Sequence, residues 1–255
     1  MRTLLCAIAF LFFMASASAQ KRRVHSVYVV VALCDNDRQG IVPVPRALGN
    51  GDDPGSNLYW GALYGTKTFL RKSKDWTLVS TTKDLDKKVL ERVIFQHRSK
   101  TVYLVADAYR GAWIRDAIIR FMATAAGDDP ATVTHDGTAI PTGGNADLVA
   151  YIGHNGLMDF TVPEVKQKRP GHGKAAIVLA CKSKPYFGAR LAKLGCRSLL
   201  LTTNFMAPEA YTLEAALAGW IAGEQAKQIR ERAAKAYHAY QKCGMAGARR
   251  MFHAE

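Results

Sequence analysis

Two residues in this chain carry the clearest chemical potential: His154, within the segment LVAYIGHNG, and Cys181, which ends the segment AAIVLAC. Each closes a short apolar run, the reading expected of a strand covered on both faces. In an open parallel sheet the carboxyl ends of the strands form one rim, where loops converge outside the helices and meet ligands. Consecutive strands ending in a histidine and a cysteine bring an imidazole and a thiol to that rim if the strands are neighbours. Such a pair supports nucleophilic catalysis, because the imidazole takes the thiol proton and the thiolate attacks a carbonyl carbon. Asn155 and Gly156 follow the histidine, and a glycine there lets a backbone N–H face a developing oxyanion. Asp159, a little further on, is a candidate to orient the imidazole.

The first apolar run ends in Cys34-Asp35-Asn36-Asp37. Asp35 and Asp37 are candidates to receive an arginine or lysine side chain of a substrate through charge-assisted hydrogen bonds, with a polar turn as the alternative. This loop lacks the oxygen-ligand spacing of a calcium hand, and the histidines do not form a zinc triad, so no metal is expected. The glycines of residues 49–55 match neither a P-loop nor a dinucleotide fingerprint, and no G-x-S-x-G elbow is present. No cofactor is expected.

The elements that must position these residues follow from hydropathy patterning. Strands are predicted at residues 27–33, 76–80, 101–108, 148–152, 175–179 and 198–202, with a small hairpin within 131–146. Helices are predicted at 57–71, 85–96, 112–126 and 187–194, and the chain reads as helical through 207–255. The alternation of strand and helix predicts a three-layer α/β/α fold with a mostly parallel sheet of about six strands, in a single domain over residues 20–255. The polar stretch PEVKQKRPGHG, residues 163–173, is too rich in charges and breakers to be core.

The first nineteen residues read as a cleavable secretory signal: Arg2, an apolar run over 4–14, then Ala17-Ser18-Ala19 as a small-x-small cleavage site. The expected location is therefore periplasmic or secreted, with no membrane span after cleavage. The formal net charge of +14 reads first as a solvated basic face, with contact to an anionic surface as the alternative, and no zinc-finger, helix-turn-helix or aromatic-basic pattern points to nucleic acid.

The pair of motifs, apolar strand then His154 and apolar strand then Cys181, resembles the caspase, gingipain and legumain group of cysteine peptidases. The resemblance spans roughly residues 27–205 and implies a caspase-like fold in which the histidine closes one central strand and the nucleophilic cysteine the next. It implies His154 as base or proton donor, Cys181 as nucleophile, and the Cys181 and Asn155 amides as the oxyanion site, acting on a peptide or protein substrate by hydrolysis or transfer. The group has glycine directly after the histidine, where this chain has Asn155. In the resembling fold the first strand lies beside the histidine strand, which brings Cys34 toward Cys181. A Cys34–Cys181 bridge would leave a non-catalytic, disulfide-bonded scaffold with a basic binding surface. A Cys196–Cys243 bridge is compatible with either reading.

Overall fold

The largely apolar runs at residues 27–33, 101–108, 148–152, 175–179 and 198–202 all become strands, because each alternates side chains between two buried faces. In a computed structural model of the chain, residues 23–168 and 173–255 are described; the expected signal at 1–19 lies outside them. Five strands run parallel: β1 (His25–Ala32), β4 (Val102–Tyr109), β7 (Leu148–Ile152), β8 (Ala175–Leu179) and β9 (Arg197–Thr202). The other two of the first four, β2 (Trp76–Lys83) and β3 (Val89–His97), extend the sheet antiparallel beyond β4. At the opposite margin β10 (Phe252–His253) pairs antiparallel with β9. The described residues thus form an eight-stranded sheet in the order β10-β9-β8-β7-β1-β4-β3-β2, larger than the six or so strands expected. A separate hairpin joins β5 (Pro130–His135) to β6 (Thr138–Gly143) through Asp136 and Gly137, both at positive φ.

Helices cover both faces, giving three layers. On one face Val27, Val29, Val31, Ile152 and Leu179 pack with α1 (Thr66–Lys72), α4 (Ala210–Ile221), α5 (Ala226–Gln241) and α6 (Met245–Met251). On the other, Tyr28, Val30, Tyr151 and Val178 pack with α2 (Ile114–Ala125) and α3 (Ser183–Lys193). Tyr151 stacks on Phe187 of α3 with ring centroids 5.9 Å apart, fixing that helix over β7. Among the described residues no helix is long and apolar enough to cross a membrane.

Two predicted helices are corrected. Residues 85–96 hold most of a strand, β3, whose Val93 and Phe95 face one layer while Val89 and Ile94 face the other. Its central charges, a buried Glu91 and a partly buried Arg92, are paired with partners elsewhere in the chain. Glu91 accepts from Trp60 Nε1 and Lys67 Nζ, both at 2.5 Å, and Arg92 makes two bonds to Asp107 at 2.6 and 2.7 Å. Over 57–71 only the end is helical, as part of α1. Asn57 draws the segment into tight turns, its carbonyl accepting the amides of Trp60, Gly61 and Ala62.

Candidate active site

β7 and β8 are parallel neighbours in register, Ile152 opposite Leu179, so the loops carrying His154 and Cys181 leave the same edge of the sheet side by side. Gly153 makes the bend after β7. Its φ is +149°, and a Cβ there would lie 2.9 Å from the Ala32 carbonyl of β1, so glycine alone meets both demands. The His154 carbonyl accepts from the Tyr151 hydroxyl at 2.8 Å and from the Gly156 amide at 3.0 Å, closing a tight turn over Asn155. Asn155 sits at φ −79°, ψ 80°, so the left-handed tolerance of asparagine is not used here.

His154 is 7% exposed, and its Nε2 lies 2.6 Å from Asp159 Oδ2. That carboxylate is therefore placed to fix the ring, and Nδ1 is the ring nitrogen without a hydrogen-bond partner among the described residues. The Gly40 amide donates to the same Asp159 oxygen at 3.3 Å, tying the loop after β1 to the histidine loop.

Cys181 stands at a sharp strand-to-helix turn. Lys182 adopts a left-handed conformation at φ 49°, ψ 41°, and α3 begins at Ser183. Ser183 and Thr202 clamp this turn to the end of β9: the Ser183 amide donates to Thr202 Oγ1 at 3.0 Å, and the Thr202 amide to Ser183 Oγ at 2.8 Å. Lys182 donates its amide to Asn204 at 2.9 Å. The half-buried Cys181 Sγ accepts the Met206 amide at 3.4 Å and lies 3.6 Å from the Met206 carbonyl. The open end of α3 adds partial positive charge, which favours an anion nearby.

The two loops are joined directly. Asn155, fully buried, donates Nδ2 to the Cys181 carbonyl at 2.8 Å. Its Oδ1 is buried with no partner among the described residues, an omission that ordinarily costs about 1–3 kcal/mol. The backbone amides of Asn155 and Cys181 donate to no partner among the described residues.

The acidic pair at the end of β1 divides. Asp35 is 1% exposed, and its carboxylate is taken by the Arg38 guanidinium at 3.1 Å and the Asp37 amide at 3.0 Å. Asp37 is exposed and lines, with Arg38, Arg46 and Asp52, a groove of about 430 Å³.

The disulfide expectation is overturned. Cys34, Cys181, Cys196 and Cys243 are all free, and no pair approaches bonding distance. Cys196 packs in the layer with α2 and α3, whereas Cys243 follows α5 in the opposite layer, so the sheet lies between them. Cys34 turns into the core, where it lies beside Tyr59. Burial pushes its thiol up to about 11, opposed by Tyr59 and aided by the Asp35 charge.

Tyr59, Met206, Thr202 and the turn-forming Asn57 were not expected from the sequence. Asn57 brackets Cys34, accepting its amide at 3.0 Å and donating to its carbonyl at 2.8 Å. Only Thr202, a polar residue closing an apolar strand on the same rim, carried a signal that pattern reading had available. No protein-family model, curated protein or solved structure matches this chain.

Proposed function

We propose that this protein is an exported thiol enzyme of the caspase, gingipain and legumain kind, cleaving or transferring peptide bonds with Cys181 as nucleophile and His154 as proton carrier. The observation that carries this reading is the in-register pairing of β7 with β8, which sets the two loops side by side with Asn155 bonded to the Cys181 carbonyl. The adjacency of β1 to β7, and the histidine and cysteine closing consecutive strands, support the same likeness. The β2–β3 hairpin is then an addition at the margin of a six-stranded caspase-like sheet.

In this reading His154 accepts the Cys181 thiol proton, and the sulfur forms a bond to the scissile carbonyl carbon. The oxygen, now negative, is met by the Asn155 and Cys181 amides. Collapse breaks the C–N bond, with the proton passing from His154 to the leaving amine, and leaves a thioester. Water or a second amine resolves it, giving hydrolysis or transfer. Asp159 holds the imidazole throughout. Asp37, the exposed member of the acidic pair, is the candidate to meet a basic substrate side chain.

The test is cleavage of a mixed peptide library by the purified protein, beside Cys181→Ala and His154→Ala. Cleavage by the wild type that both substitutions abolish is the expected result. Cleavage that survives Cys181→Ala, or no cleavage together with a Cys181 that alkylates no faster than a free thiol, removes the assignment.

A further inference from the structure

Asn155 occupies the one position where this chain departs from the motif it resembles, and its side chain does something that glycine has no means to do. Nδ2 reaches from the histidine loop to the Cys181 carbonyl at 2.8 Å. That carbonyl belongs to the peptide joining Cys181 to Lys182, whose amide is held at the other side by the Asn204 carbonyl at 2.9 Å. The same peptide leads into the left-handed Lys182, a conformation that a side-chain-bearing residue holds only when its surroundings impose it. Two hydrogen bonds, one from each neighbouring loop, therefore fix the plane from which the cysteine projects.

The asparagine is poorly served as a structural filler. It is fully buried, yet Oδ1 is left without a partner among the described residues, while an apolar side chain of the same size would have avoided that loss. The donor, not the volume, distinguishes this residue at this place. Gly156 contributes by omission, since a Cβ there would lie 2.4 Å from the Phe160 ring, and the tight turn over Asn155 depends on that space.

We propose that Asn155 is a positioning residue that locks the cysteine loop to the histidine loop, with its Nδ2–H donor to the Cys181 carbonyl holding the thiol and the Cys181 amide in register with His154. The proposal rests on the thiol-enzyme reading above. It also accounts for the departure from glycine, which has no side chain to make the tie.

The experiment follows the rate of Cys181 alkylation by iodoacetamide in the full chain, read by peptide mass mapping from acid to alkaline pH. The wild type is compared with Asn155→Asp, Asn155→Ala and His154→Ala, with near-ultraviolet circular dichroism to verify folding at each pH. In Asn155→Asp a protonated carboxyl still donates to the Cys181 carbonyl and an ionised one repels it. The other titratable groups of the two loops, His154, Asp159, Cys181 and Lys182, are present in variant and wild type alike, and the uncharged Asn155→Ala separates loss of the tie from the new carboxylate's effect on their titration. The ratio of variant to wild type is expected to fall on the order of tenfold as pH rises through that titration. Asn155→Ala, which introduces no charge and keeps the assay decisive if the aspartate does not fold, is expected to be slow throughout with no such pH dependence. Wild-type rates in Asn155→Ala, or a flat ratio in a folded Asn155→Asp, overturn the role of Asn155 while a slow His154→Ala leaves the dyad standing. A His154→Ala protein that alkylates at the wild-type rate removes the dyad itself, and this inference with it.

Discussion

His154 Nε2 lies 2.6 Å from Asp159 Oδ2, and the same carboxylate oxygen accepts the Gly40 amide at 3.3 Å, so one side chain orients the imidazole and anchors it to the loop after β1. Removing that carboxylate leaves the ring free to turn. Asp159→Ala is expected to slow Cys181 alkylation and any peptide cleavage on the order of tenfold, because it acts through the histidine. Under the proposed function His154→Ala removes the proton carrier, and it is expected to lower cleavage on the order of 10²–10⁴-fold. Measuring both variants side by side checks the order; an Asp159→Ala protein as active as wild type would show the contact to be structural only.

The cysteines should separate cleanly by reactivity. Cys34 is held up to about 11 by burial, against the influence of Tyr59, and Cys196 up to about 12 by burial, against the charges of Lys174 and Arg197. Both are therefore protonated and enclosed at neutral pH. Alkylation of the native protein without reductant, followed by mass mapping, is expected to label Cys243 and Cys181 and to spare Cys34 and Cys196 until denaturant is added. Cross-linked peptides in that map would contradict the free thiols of the structure.

Gly153 tests whether the bend after β7 sets the histidine. With φ at +149° and the Ala32 carbonyl 2.9 Å from a Cβ, Gly153→Ala is expected to cost about 1–3 kcal/mol of stability. It should also slow Cys181 alkylation in the fraction that stays folded, because β1 and the His154 loop must move apart. Chemical denaturation and the alkylation assay read the two effects independently.

Glu214 gives a pH dependence of stability away from the site. Burial raises its carboxyl above the ordinary 4.5, opposed by a hydrogen bond from Ser73. A raised value means that the folded state holds the proton more tightly than the unfolded one, so its contribution is complete below 4.5 and is lost as pH rises through the folded value. Glu214→Gln is therefore expected to melt like wild type in acid and to gain at most about 2–4 °C at neutral pH. Thermal melts at the two pH values check the sign, and a gain confined to acid would refute it.

The parallel centre of the sheet was legible because β1, β4, β7, β8 and β9 are each buried on both sides and read as largely apolar runs. β3 was not, since Glu91 and Arg92 interrupt its run and mimic the polar face of a helix. Their pairing within the sheet depends on Trp60, Lys67 and Asp107, none of them local. The helix expected over 57–71 failed for a related reason: a single side chain, Asn57, commits the backbone to turns and to the end of β1.

What the sequence alone determined was where the five parallel strands lie and that a histidine and a cysteine follow two of them, because alternation and burial are written locally, a few residues at a time. Only the tertiary structure decided what those ends become. It paired β7 with β8, spent Asp35 on Arg38, gave Asp159 to His154, kept the four described cysteines apart, and laid Asn155 against the Cys181 carbonyl. The β7–β8 pairing and the Asn155–Cys181 bond join segments well separated along the chain, and even the nearer contacts depend on backbone turns held by distant partners. Hydrophobic periodicity orders each element against the core, but it carries no information about which polar atoms meet at the rim once the elements have packed.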